Sequence, residues 1–263
     1  MAVPGQAPRE RRLYGQTARL GLIVPTTNTV NEAEWSVSLP DGVTLHVARM
    51  ALHTNTGSDA GKVALERDIA MAACSLADAD VDVIAYGCTA GSMTLPLGMV
   101  PDMIARATGL PGVATAPSIV HALRALGAAR AAVATPYDAG MNEHERAFLE
   151  ACGITVVAIE GLGAGDRAGF RRIHLLTADE VRALAARVTS GGAFDALVLS
   201  CTDLPTLRLH AELEQKLGKP VVSSNQTTLW AALRVAGVQG GWGRLADGFS
   251  APGSARRSPA SAR

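Results

Sequence analysis

Apolar residues along this chain fall into short unbroken runs separated by polar segments of loop or helix length. Residues 20–24, Leu-Gly-Leu-Ile-Val, form the first such run. An unbroken run of strand length is the pattern of a strand covered on both faces. It stops at Pro25-Thr26-Thr27-Asn28. A second strand is expected over residues 43–48, and the polar stretch 53–58, with the composition of a lid, leads into a helix over about 60–77. The run 81–86 ends in Gly87-Cys88-Thr89 and is followed by an expected helix over 100–108, a short strand over 112–115 and a helix over 119–126. Strands alternating with helices in this way predict a parallel α/β sheet.

The same order then begins again. Residues 131–135 read as a strand ended by Pro136-Tyr137-Asp138, and residues 142–151 as a helix stopped by Gly153. A strand over 154–159, a helix over 178–189 with Thr177 as N-cap, and the run 194–200 ending in Cys201-Thr202 follow. A helix over about 207–216, a strand over 220–223 and a helix over 227–235 complete the pattern. Matching features recur at nearly constant offsets: Cys88 and Cys201 at 113 (201 − 88), Pro25 and Pro136 at 111 (136 − 25), Pro111 and Pro220 at 109 (220 − 111). An internal duplication of one α/β unit explains these offsets. Each of the two cysteine runs opens on an aspartate, Asp82 or Asp195, and delivers a thiol at its C-terminal end. In an open α/β sheet that end is where ligands bind.

The expected fold is therefore two similar α/β domains with parallel sheets, related by a pseudo-two-fold axis that places the two cysteine-bearing strand ends in related positions. Residues 18–117 plus 224–238 form the first domain and 118–223 the second. Residues 1–17, with Pro4, Pro8 and a charged Arg9-Glu10-Arg11-Arg12 cluster, read as a flexible arm, and the Gly-, Ala-, Ser- and Arg-rich residues 239–263 as a disordered tail.

Composition narrows the function. The chain has 263 residues, 48% of them hydrophobic, enough for a substantial core. Lys+Arg and Asp+Glu both number 24. A chain with no net charge gives no reason to expect a nucleic-acid partner. No apolar run approaches a membrane span and the N-terminus lacks the apolar core of a signal peptide, so the cytoplasm is the expected compartment. A homo-oligomer is compatible with the sequence.

The four cysteines, Cys74, Cys88, Cys152 and Cys201, show no Cys-x-x-Cys spacing and are expected as free thiols. A single strand-end cysteine reads as a small buried hydrophobe. Two in equivalent positions, each followed by threonine, favour catalysis. Cys74 and Cys152 read as packing residues. A thiol becomes an effective nucleophile when a helix N-terminus or a cation lowers its pKa, and both strand-end thiols precede helices. Thr89 and Thr202 offer hydroxyl and backbone donors to an anion, or serve as helix caps. Asn28 either binds an anion or stabilises its own turn. Tyr137 carries a phenol beside a strand end, a donor for a carboxylate or a packing residue. The six histidines have no metal-ligand spacing, so no metal is expected, and Gly161-Leu162-Gly163-Ala164-Gly165 lacks the remainder of a dinucleotide fingerprint, so no cofactor is expected either.

With Pro25-Thr26-Thr27-Asn28, Cys88-Thr89, Pro136-Tyr137 and Cys201-Thr202 in view, residues 19–238 resemble the aspartate/glutamate racemase superfamily, and within it the maleate cis-trans isomerase and arylmalonate decarboxylase group. The resemblance implies two α/β domains with the active site in the cleft between them, and a cofactor-independent enzyme acting on a small carboxylate through Cys88 and Cys201. It implies that Pro25, Asn28, Thr89, Tyr137 and Thr202 bind the substrate. Asn28 matches an isomerase residue that holds a substrate carboxylate and that the decarboxylase lacks, and Cys88 stands where the decarboxylase has glycine. Two departures stand out. The isomerases carry an asparagine in the region matching Gly165-Asp166-Arg167-Ala168-Gly169, which here has none, and Cys201-Thr202-Asp203 resembles the Cys-Thr-Glu element of amino-acid racemases. Cis-trans isomerisation of an unsaturated dicarboxylate of maleate type is the leading expectation. Racemisation of an amino acid or hydantoin, arylmalonate-type decarboxylation, and a non-catalytic carboxylate-binding protein remain as alternatives.

Overall fold

The computed structural model describes residues 12–240 and Leu245. Two four-stranded sheets, parallel throughout, carry the chain. The first contains β1 (Ala18–Pro25), β2 (Val43–Met50), β3 (Val83–Tyr86) and β4 (Gly112–Ala114) in the order β2-β1-β3-β4. The second contains β5 (Arg130–Ala134), β6 (Thr155–Glu160), β7 (Ala196–Leu199) and β8 (Val221–Ser223) in the matching order β6-β5-β7-β8. Because the order repeats, the two cysteine-bearing strands β3 and β7 hold the same inner place in their sheets. Both are buried along their whole length, which is why they read as unbroken apolar runs.

The aspartate that opens each cysteine run has a structural cause. Asp82 Oδ2 accepts from the backbone N–H of Arg19 at 2.8 Å, and Asp195 Oδ2 accepts from that of Arg130 at 2.9 Å. Each carboxylate thus fixes the start of the neighbouring first strand of its unit, and so the register that brings the strand ends level.

The first unit is completed by α1 (Asn31–Ser36), α2 (Asp59–Ala77), α3 (Thr89–Met93), α4 (Met99–Thr108) and α5 (Thr115–Ala125). The second contains α6 (Ala139–Ala151), α7 (Arg167–Phe170), α8 (Ala178–Thr189), α9 (His210–Leu217) and α10 (Ser224–Val235). The last helix of each unit crosses to the other. Ile119, Val120 and Leu123 of α5 pack with Ala131, Val133 and Val198 of the second sheet, while Leu229, Trp230 and Leu233 of α10 pack with Leu20, Leu22 and Val83 of the first. Each fully buried aliphatic side chain of this kind contributes on the order of 1.5–3 kcal/mol. The exchange ties the two halves together.

Several expectations are corrected. Arg12, placed in the arm, is buried, donating to Asp82 Oδ2 at 2.9 Å and to the Asp80 carbonyl at 3.2 Å. Leu245, placed in the tail, is buried in the first core cluster, and the other tail residues beyond 240 lie outside the described residues, as do residues 1–11 of the arm. Helices α6 and α10 begin a turn earlier than the apolar pattern suggests, because Asp138 caps Met141 N at 2.9 Å and Ser223 forms a capping box with Gln226. The helix expected over 207–216 begins instead as a 3-10 turn, Leu207–Leu209. Helices α1 and α3, of six and five residues, escape the sequence reading because they are too short to show a period. Among the described residues, no helix is long and apolar enough to cross a membrane.

Candidate active site

The C-terminal ends of the strands face a cavity of about 490 Å³ between the two units. Pro25, Asn28, Cys88, Thr89, Tyr137, Cys201 and Thr202 all line it, so all seven residues singled out from the sequence meet in one place. The sequence reading left out Leu52 and Lys62 from the β2–α2 side, Tyr86 beneath Cys88, and His144, Phe170 and Ile173; His53, from the stretch read as a lid, and Asp203, noted only for its likeness to the racemase element, also line the cavity.

Cys88 is the N-cap of α3, and its Sγ accepts from Gly91 N at 3.4 Å. The hydroxyl of Tyr86, two residues earlier on the same strand, also reaches this thiol. Gly91 leaves the space for it, since a Cβ there would collide with the phenol oxygen. Gly87 serves a related purpose: a Cβ would strike the Asn31 amide and come within 2.9 Å of Leu22 Cδ1, pushing α1 away from the strand end.

Cys201 adopts φ +118°, a region that non-glycine residues rarely occupy. Its Sγ accepts from Asp203 N at 3.4 Å, and the Tyr137 hydroxyl reaches it from the second unit. Ser224, at the start of α10, joins the two thiol segments, its hydroxyl receiving Thr89 Oγ1–H at 2.8 Å and Cys201 N–H at 2.9 Å.

The threonine and asparagine groups are already engaged. Asn28 Oδ1 accepts from Val30 N at 3.1 Å and Asn31 N at 3.0 Å, so the turn-stabilising role is formed, while one amide N–H goes to Thr202 Oγ1 at 3.0 Å. Thr202 in turn donates to the Gly87 carbonyl at 3.1 Å. What remains for a ligand is the second N–H of Asn28 and the first backbone N–H groups of α3, which have no acceptor within the helix.

The thiol electrostatics correct the expectation of lowered pKa values. Burial pushes Cys88 up despite Gly91 and Tyr86, and pushes Cys201 up to about 12 despite Tyr137. Cys88 keeps a face open to the cavity, yet protein closes around it. The physical reason for the reversal is that donors near each sulfur do not match the lost hydration, and the nearby full charge has the wrong sign. The Asp203 carboxylate raises both thiols. Asp203 is itself raised by burial; its Oδ1 accepts from Thr29 N at 2.9 Å and its Oδ2 lies 3.7 Å from His174 Nδ1. Among the described residues, no group of three or more His, Cys, Asp or Glu is arranged to hold a metal ion.

Comparison with known proteins agrees with this geometry. The family model for arylmalonate decarboxylase matches residues 20–246. Maleate isomerase of Nocardia farcinica is 31% identical over 229 residues, covering 82% of this chain and 89% of the relative. Arylmalonate decarboxylase of Bordetella bronchiseptica is 37% identical over 147 residues, covering 54% of this chain and 60% of that protein, so this sequence match spans less than two thirds of the decarboxylase. Among solved structures, a variant of the N. farcinica maleate cis-trans isomerase with a covalently bound succinylcysteine intermediate superposes with a TM-score of 0.77 at 28% identity, covering 87% of this chain and 98% of that one. A crystal structure of arylmalonate decarboxylase superposes with a TM-score of 0.72 at 27% identity, covering 87% and 99%.

Proposed function

Because the chain belongs to the arylmalonate decarboxylase family, in the maleate isomerase and arylmalonate decarboxylase group of the aspartate/glutamate racemase superfamily, we propose that it is a cofactor-independent cis-trans isomerase of a small unsaturated dicarboxylate. The observation that carries this reading is the pair of unlike thiols on one cavity, Cys88 and Cys201. Maleate is the first substrate to test, since a relative of this fold has been captured as a succinylcysteine adduct.

The unlike thiols suggest a division of labour. Cys201, pushed up to about 12, is held protonated and suits the acid. Cys88, open to the cavity and served by Gly91 N and the Tyr86 hydroxyl, suits the nucleophile once ionised. Its sulfur forms a bond to one alkene carbon, and the displaced π electrons spread onto the carboxylate attached to the other. Cys201 then gives its proton to that second carbon. The former double bond is now single and rotates. Cys201 takes the proton back, the C–S bond breaks, and the trans alkene leaves with Cys88 restored as the thiolate and Cys201 as the thiol. Asn28 and the N–H groups opening α3 hold one carboxylate and stabilise the charge that builds on it.

Asp203 supports a second reading. A carboxylate bearing on both thiols suits a substrate with an ammonium group, which is the arrangement an amino-acid racemase needs. NMR in deuterated water with maleate, aspartate and phenylmalonate distinguishes the outcomes. Fumarate formation supports isomerisation; α-deuterium exchange on aspartate supports racemisation instead; loss of carbon dioxide from phenylmalonate alone refutes both. On the isomerase reading, Cys88→Ser abolishes turnover, and Cys201→Ser leaves a mass increase on Cys88.

A further inference from the structure

The loop that bears Cys201 is anchored less by its own unit than by the other one. Thr202 donates to the Gly87 carbonyl, Asn28 donates to Thr202, and Thr29 N donates to Asp203. The strongest attachment comes from Glu34 of α1, a buried residue at 8% exposure. Its Oε1 accepts from Thr206 N at 2.6 Å and Leu207 N at 2.8 Å. Its Oε2 accepts from Asn225 Nδ2 at 2.7 Å and from Thr206 Oγ1 at 3.3 Å. Four donors from two segments of the second half converge on one carboxylate of the first.

We propose that Glu34 is a positioning residue that fixes Cys201 from across the cleft, holding the 201–207 loop so that this thiol keeps its left-handed backbone conformation and its buried place beside Tyr137. The reasoning is geometric. A residue at φ +118° persists only when its surroundings over-determine it. The cysteine end of the loop is held by Ser224, and the far end by Glu34. Releasing Glu34 frees the far end, and the loop relaxes toward an ordinary conformation that exposes the thiol. Cys88 sits on β3 and α3, which Glu34 touches through none of these bonds; its ties to the loop run through Thr202 on the Gly87 carbonyl and Ser224 on Thr89, so the larger effect falls on Cys201. A carboxylate suits the place because its two oxygens take four donors. Burial pushes its pKa up, and the four donors oppose that rise.

The catalytic consequence rests on the two-thiol reading above, but the test does not. Neutral iodoacetamide is applied to the wild-type protein and to Glu34→Ala, and the alkylation rate of each thiol is read by peptide mass spectrometry. No substrate is present, so failure of the functional reading and failure of this inference are separate results. In Glu34→Ala, Cys201 is expected to react at least about tenfold faster while Cys88 stays within about twofold. Glu34→Gln is the conservative rescue. Its amide oxygen still accepts from Thr206 and Leu207, and Asn225, whose Oδ1 has no partner, turns over to accept from the new amide. Near wild-type rates at both thiols are expected. If Glu34→Ala does not fold, Glu34→Asp, a methylene too short to reach all four donors, replaces it with the same selective change expected. An unchanged Cys201 in a folded alanine or aspartate variant, an equal change at both thiols, or a glutamine variant that behaves like alanine overturns the proposal.

Discussion

Glu145 lies on α6 behind the Cys201 strand end, 1% exposed, and its ionisation dictates how stability depends on pH. Among the described residues no cation pairs with it, and its Oε2 and the neighbouring Ser200 hydroxyl each lack a well-formed hydrogen bond. Burial therefore raises its pKa from 4.5 to about 7, with Ser200 opposing the rise. The folded state holds this proton more tightly than the unfolded chain does. The stability it contributes is complete below the unfolded value and is lost as pH rises through the folded one. With these two values, wild type loses about 1 kcal/mol by pH 5, about 2 by pH 6 and about 3 by pH 7 and above. Glu145→Gln keeps the shape and a carbonyl acceptor but cannot ionise. Urea unfolding of both proteins at each pH isolates the effect, because every other titrating group cancels in the difference. The two should be nearly equal in stability near pH 4, and the variant should be more stable by about 3 kcal/mol at pH 8. A difference that stays constant with pH would mean that Glu145 is either hydrated or paired, and the reasoning from its burial fails.

Two further predictions concern the thiols. Asp203→Asn keeps the acceptor for Thr29 N but removes the charge that raises both cysteines, so alkylation at a fixed neutral pH should quicken about two- to tenfold at Cys88 and Cys201 together; a change at one thiol alone contradicts a shared field. Tyr86→Phe should cut the thiolate fraction of Cys88, and with it its alkylation rate at a fixed pH, by about tenfold, and Tyr137→Phe should do the same at Cys201; crossed effects would show that the phenols are not paired as described.

The parallel sheets, the duplication and the pairing of Cys88 with Cys201 were legible in the sequence because each depends on local signals, whereas Asn28 and Tyr137 came in through the family resemblance and the strand order only with the structure. A buried strand announces itself as an apolar run, and a duplicated unit keeps its spacing. Tyr86 was hidden by the same logic: inside such a run it reads as core, and its contact with Cys88 depends on the room left by Gly91. Glu34 resembles any surface glutamate until residues more than 170 positions away close over it. Ser224 fell between the strand expected over 220–223 and the helix expected over 227–235, yet it joins both thiol segments. The pKa directions failed for a related reason. A helix N-terminus is visible in sequence, whereas the desolvation that outweighs it is set by everything that packs around the sulfur.

The duplicated frame does not produce duplicated chemistry. At the offset that relates Cys88 to Cys201, Tyr86 corresponds to Leu199, so the second thiol has no phenol from its own strand. Its phenol comes instead from Tyr137, whose counterpart after Pro25 is Thr26. Gly87, which admits the Asn31 side chain, corresponds to Ser200, which faces Glu145. Each substitution moves the two thiols further apart in environment: Cys88 has a face on the cavity and a same-strand donor, while Cys201 is buried and left-handed in backbone. A racemase that draws a proton from either face of one carbon gains most from thiols of matched basicity. A reaction that needs one thiol to attack carbon and the other to keep a proton gains from mismatch. The divergence of the two halves therefore weighs toward addition, rotation and elimination, and leaves Asp203 as the feature on which the racemase reading depends.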